Sequence, residues 1–218
     1  MKTRSIILVF CIVLLNSCIV KSLNPFYIEE AVEFQEAFLG KWEDNKDGKW
    51  EVLSFKAEME RETGKDRLSE EDKEIYEKYK DGYLISYLKK ENESYFIAVP
   101  FKVDDQVLID FIPYQYEDEG GNDLVGQHLV KTHSVAKFDK QDNGDIKITW
   151  LDEDRLEELF KKDAIQIKHE VVGLDKDFIL TASSEELYRF MKKYCSSSIK
   201  NKWESSEKLT FKRISVEP

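Results

Sequence analysis

The chain is 218 residues long and carries a formal charge of −11. A chain of this size buries roughly 70% of its unfolded surface, enough for one sizeable core. The acidic balance excludes nucleic acid and anionic lipid surfaces as the main partner, because like charges repel there.

The first residues set the compartment. Met1-Lys2-Thr3-Arg4 is basic, Ile6 to Leu15 is an unbroken apolar run, and Asn16-Ser17-Cys18 follows. A basic stub, a short apolar stretch and small or polar residues are the parts of a secretory signal. Ten apolar residues in a helix reach about 15 Å, half the hydrocarbon thickness of a bilayer, so the run is too short to span. The positive end stays in the cytoplasm and the rest is exported. Leu15-Asn16-Ser17-Cys18 resembles the lipobox of bacterial membrane lipoproteins, with Leu15 and Ser17 in place and Asn16 departing from the usual small or apolar residue. The resemblance covers residues 1–18. It implies that residues 1–17 are removed and that Cys18 carries acyl chains, each buried methylene contributing ~0.8 kcal/mol. Residues 18–27 are then expected as a lipidated tether and residues 28–218 as one domain, on the extracytoplasmic face of the cell membrane or outer membrane. Ile19, where enterobacterial inner-membrane lipoproteins carry Asp, favours the outer membrane by the same resemblance. Loss of Lys2 and Arg4 takes the formal charge from −11 to −13. With Cys11 removed and Cys18 acylated, Cys195 stands alone. No disulfide framework is expected, and Cys195 reads as a small helix-end hydrophobe.

The exported part is dominated by β signals. Strands are predicted over 50–56, 83–89, 94–103 and 107–114, with turns at 91–93 and 104–106. Pro100 and Pro113 lack an N–H and should mark bulges or edges. Residues 117–126 read as an acidic loop, which the spacing does not make a calcium loop. A long strand is expected over 128–138, and Asp142-Asn143-Gly144 turns it back into 145–150. A hairpin around Gly173 joins 165–172 to 177–181, and 208–214 is the last strand. Three helices interrupt: 70–80 capped by Ser69, 153–162 capped by Asp152, and one opened by the capping box Ser183 to Glu186, with Leu187, Phe190, Met191 and Tyr194 inward. The expected fold class is mainly β with α insertions, an antiparallel barrel or strongly curled sheet with two or three helices.

Leu39-Gly40-Lys41-Trp42, just before the first of these strands, resembles the Gly-x-Trp start of lipocalin-like (calycin) barrels. That resemblance implies that Trp42 plugs one end and that Arg213, on the last strand, stacks over it as a barrel-closing pair. A guanidinium on an indole face is worth ~0.5–2 kcal/mol. The exported part is also similar to bacterial lipoproteins that share Leu39 to Trp42, a His-x-x-Ala-Lys strand at His133 to Lys137, and a Thr-Ala-Ser-x-Glu-Glu-Leu helix start at Thr181 to Leu187.

For chemistry, His128 and His133 fall on opposite faces of one predicted strand, so they share no metal without a bulge. His133 shares a face with Lys131 and Lys137, which points to solvent. His169 lies in register with Ile165, Ile167 and Val171 on an apolar face. Asp110 sits inside the apolar run Val107 to Ile112. Either it faces solvent, or it is a buried acid with a raised pKa. If Asp110 and His169 meet inside the barrel, they make a polar spot in an apolar cavity. Tyr83, Tyr87, Tyr95 and Phe101 either line such a cavity or pack the sheet. No nucleophile elbow, metal motif or phosphate loop is present, so no catalytic residue, metal or cofactor is assigned. Three functions remain. The first is a binding module for a small apolar ligand or an envelope partner. The second is an interaction protein with a side-chain-filled barrel, and the third a hydrolase.

Overall fold

The computed structural model describes residues 19–63, 69–115, 130–174 and 176–214. Its strands are β1 (Lys21–Ser22), β2 (Gly40–Asp44), β3 (Lys49–Ser54), β4 (Tyr83–Lys89), β5 (Asn92–Val103), β6 (Gln106–Gln115), β7 (Ser134–Lys140), β8 (Ile146–Trp150), β9 (His169–Val172), β10 (Asp177–Leu180) and β11 (Lys208–Arg213). Its α-helices are α1 (Phe55–Thr63), α2 (Glu70–Tyr79), α3 (Glu153–Lys161) and α4 (Ser184–Ser196). No helix among the described residues is long and apolar enough to cross a membrane.

Successive side chains of a strand point to opposite faces, and here both faces of the sheet are apolar. On β6, Val107, Ile109 and Phe111 join one core while Leu108 and Ile112 join another. The first core is the inside of a barrel. Strands β2 to β8 pair in sequence order, each antiparallel to the next, and β11 closes the ring between β8 and β2. The expected mainly-β fold with helical insertions is therefore present as an eight-stranded closed antiparallel barrel of lipocalin-like type. The second core lies outside the wall. It is covered by residues 20–27, by a small sheet of order β1-β10-β9, and by the four helices of the described residues.

Barrels of eight strands leave an interior just wide enough for side chains. Here Phe38, carried on a short 3-10 turn (Glu36–Phe38), enters that interior fully buried. Its ring centroid lies 5.4 Å from Tyr83, 5.5 Å from Phe138, 6.1 Å from Phe211 and 6.5 Å from Trp42. These spacings suit edge-to-face aromatic contacts. Trp50 and Phe211 extend the same packing at 5.2 Å.

The closing end follows from one glycine. Gly40 has φ of +119°, a region that side chains disfavour, and a Cβ there would sit 2.6 Å from the Arg213 guanidinium. The missing Cβ lets Arg213 pass over Trp42 at 4.3 Å and donate to the carbonyls of Leu39 (3.0 Å) and Ala37 (3.1 Å). Trp42 Nε1–H donates to Phe38 O at 2.8 Å, which seats the plug. The Gly-x-Trp pattern and the arginine therefore form one assembly.

Several boundaries differ from the sequence reading. The first predicted strand ends at Ser54, and α1 begins at Phe55, where the Ser54 hydroxyl accepts from Ala57 N–H. The β4–β5 turn is Lys90-Glu91, one residue earlier than expected, with Lys90 at φ of +58°. Residues 130–132 are irregular and 165–168 are not strand. Pro113 lies at the one register shift of the β5–β6 pair. Pro100 lies beyond Ala98, the last β5 residue paired with β4, so no β4 acceptor awaits its missing N–H. The largest correction concerns the expected tether. Residues 19–27 are docked, because Val20 N–H donates to Leu151 O and Leu23 N–H to Leu180 O, both at 3.0 Å. Ser22 and His133 exchange backbone bonds at 2.9 and 2.8 Å. Val20, Ser22 and Phe26 are fully buried.

Replacing Gly40 with Ala should destabilise the domain by about 1–3 kcal/mol, through backbone strain and displacement of Arg213. Urea unfolding of residues 19–218 measures this, and a loss below about 0.5 kcal/mol, the size of an ordinary surface change, would contradict the closing role.

Candidate functional site

Asp110 is 1% exposed, so it is the buried acid of the two alternatives. It does not face the barrel interior. It shares the outer face of β6 with Leu108 and Ile112, beneath residues 20–27. His133 Nδ1–H donates to its Oδ1 at 2.6 Å, and Phe26 N–H donates to its Oδ2 at 2.8 Å. His133 is itself 5% exposed. Its strand parity was read correctly, with Val135 and Lys137 on the same face. That face is covered by the N-terminal segment rather than by water. His133 therefore fixes the segment twice, by its backbone to Ser22 and by its ring through Asp110 to Phe26.

Burial pushes the Asp110 carboxyl above its ordinary value of 3.8, and the His133 hydrogen bond opposes the rise. The neighbouring Tyr27 phenol is pushed up by burial and then by the Asp110 charge. Asp110 and His133 act as a clasp, closed off beneath the chain they hold. The expected meeting of Asp110 and His169 does not occur. His169 is on β9 of the small sheet, exposed at its edge, between Phe160 and Phe178 at 4.6 Å each, with Nδ1 3.0 Å from Ile167 O. His128 and the acidic loop 117–126 lie outside the described residues, as does Cys18.

The aromatic residues expected to share a cavity divide between the two cores. Tyr83 and Tyr87 face the interior, and Phe101 belongs to the outer core. Cys195 is free and buried, and burial pushes its thiol up to about 11. Among the described residues no three His, Cys, Asp or Glu side chains gather as a metal site.

A cavity of about 780 Å³ opens on the outside of the barrel, between residues 163–168 and α4. It is within the volume range of small-molecule sites. Helix α4 starts at the capping box of Ser183 and Glu186 and buries Leu187, Phe190, Met191, Tyr194 and Cys195 at helical spacing. That spacing leaves Arg189 and Lys193, four apart, along the rim. Ala164, Ile165, Ile167, Ala182, Phe190 and Tyr194 supply apolar lining. Lys168 closes one side by an ion pair with Glu186 at 3.1 Å. The sequence reading missed this groove because it placed 165–168 in a strand, where Ile165 and Ile167 would have packed inward. The basic Arg189-Lys193 pair on a strongly acidic chain was the available signal.

No protein family, curated protein or solved structure matches the chain.

Asp110→Ala should cost about 3–5 kcal/mol, since it leaves the buried His133 ring and Phe26 N–H unpaired. Its pH behaviour has a definite sign. A carboxyl whose folded pKa is raised binds its proton more readily in the fold, so its contribution is greatest below 3.8 and falls as pH rises through the folded value. Thermal unfolding of the wild type against Asp110→Asn should show the wild type gaining on the variant as pH falls from 7 toward 4. The opposite slope would mean that pairing with His133 outweighs burial.

Proposed function

We propose that the protein is a lipid-anchored cell-envelope binding protein. Its barrel is a filled scaffold, and its outer groove takes an amphipathic ligand with an apolar body and an anionic head. The anchor rests on the Leu15-Asn16-Ser17-Cys18 sequence behind a short apolar leader. The carrying observation for the groove is the pairing of a Phe38-plugged barrel with an open external cavity whose apolar lining is edged by Arg189 and Lys193, with the Lys168–Glu186 ion pair and Asp163 also on its lining. The interior aromatics already occupy the space that a ligand-holding barrel keeps free. An apolar ligand body would gain burial against Ile165, Ile167 and Phe190, and an anionic head would meet the two cations.

Two measurements check this reading. Titration of the domain with a long-chain fatty acid below its micelle concentration should give saturable binding. Ile165→Asp and the double change Arg189→Glu with Lys193→Glu should each weaken it about tenfold or more, equivalent to ~1.4 kcal/mol. Arg189 and Lys193 are exposed, and Ile165 is partly buried against the outer core, so thermal unfolding of each variant separates lost binding from lost folding. Binding that ignores both changes, or no saturable binding, would reject the groove. For the anchor, Cys18→Ala should move the protein from the membrane fraction to the soluble one. Full membrane retention of that variant would reject acylation at Cys18.

A further inference from the structure

The β9–β10 hairpin ends in an apolar tip that no described residue covers. Val171 is 57% exposed, Val172 42% and Leu174 101%. Monomeric surfaces rarely spend adjoining large apolar side chains this way without a use. A Cβ on Gly173 would meet nothing within 4 Å, so the tip stands clear of the body. Its base is held firmly. His169 stacks between Phe160 and Phe178, and Phe178 is buried in the outer core.

The position of the tip in the fold gives it meaning. β1 runs parallel to β10, with Lys21 opposite Ile179 and Ser22 opposite Leu180. Tracing β10 backward from Leu180 to Asp177 leads to the tip, so tracing β1 backward from Ser22 toward Ile19 leads the same way. Lys21 is ion-paired with Asp177 at the base of the hairpin. Ile19 is itself bridged to Asp152. The chain is therefore docked up to the residue that follows Cys18, which leaves no slack tether. Acyl chains on Cys18 would hold this end of the domain within a few residues' reach of a bilayer, and a residue spans at most about 3.6 Å. The four tip residues carry no charge, and Glu170, Asp175 and Asp177 flank them with Lys176, so the corner suits a zwitterionic lipid surface rather than an anionic one.

We propose that Val171-Val172-Gly173-Leu174 is a second membrane contact, which dips into the lipid interface beside acylated Cys18 and fixes the orientation of the domain on the membrane. This inference rests on the anchored reading above. Two attachment points on one end hold a domain in one attitude, whereas a single flexible lipid foot does not. The groove is then presented at a set angle to the surface.

The test uses the full chain with its own leader, processed in cells and reconstituted in phosphatidylcholine vesicles containing a spin-labelled phosphatidylcholine quencher. Leu174→Cys carries an environment-sensitive fluorophore. Asn143→Cys, in the β7–β8 turn at the other end of β8 from Leu151, carries it as the control. Cys195 stays unlabelled because it is buried and its thiol is pushed up to about 11. Mass measurement of the N-terminus reports acylation separately. With acylation present, lipid quenching at position 174 should exceed that at 143 by about threefold or more, as expected for interfacial burial. Acylated protein whose position 174 is quenched by aqueous iodide and not by lipid would overturn the tip contact and leave the anchor standing. An unacylated N-terminus would overturn both. Protection of position 174 without vesicles, rising with protein concentration, would assign the tip to association between copies and overturn the proposal.

Discussion

The Asp110 carboxylate, buried against the outer wall of the barrel, is the point on which the rest of the structure turns. Taking a carboxylate out of water is costly, and two donors meet that cost: the His133 ring and the Phe26 backbone. One donor belongs to the barrel and the other to the N-terminal segment. The acid therefore joins two parts of the chain that are 84 residues apart. Once joined, the segment covers the outer faces of β6 and β7 and offers β1 to β10. Without it Leu108 and Val135 would lie open to water, and the small sheet would lose its first strand.

A second consequence runs through the other end of the molecule. Gly40, Trp42, Phe38 and Arg213 close the barrel by a chain of contacts in which each residue needs the one before. The interior this produces is packed with rings. A wall that is apolar on both faces must be covered on both, so the helices and the small sheet gather outside it. The gap between residues 163–168 and α4 is part of that outer layer. The open space is thereby moved from the axis of the barrel to its flank.

Much of the fold was legible because the signals were local. The capping boxes at Ser69 and Ser183 each bond their third residue as expected, and Asp142-Asn143-Gly144 turns with Gly144 at φ of +87°. Alternation placed the strands. The site was harder, since alternation tells which residues share a face and not what covers that face. His133 was on the predicted face and yet buried, because its cover comes from residues 20–27. Its partner was available once the register was known: Asp110 pairs with Val135, and His133 is the diagonal neighbour two residues earlier on the same face. His169 was misplaced because β9 belongs to a separate sheet, which no periodicity could show. Helix α1 was hidden because its cap, Ser54, sits inside a run of strand-forming residues.

The central claim is that residues 19–27 are part of the folded domain rather than a loose lead into it. Native-state hydrogen exchange resolved at single amides tests it most directly. The account predicts that the amides of Val20, Ser22, Leu23 and Phe26 are protected to the same degree as those of β6 and β7, and are released only with the barrel. Exchange of these four amides at free-chain rates, with the barrel still protected, would contradict it.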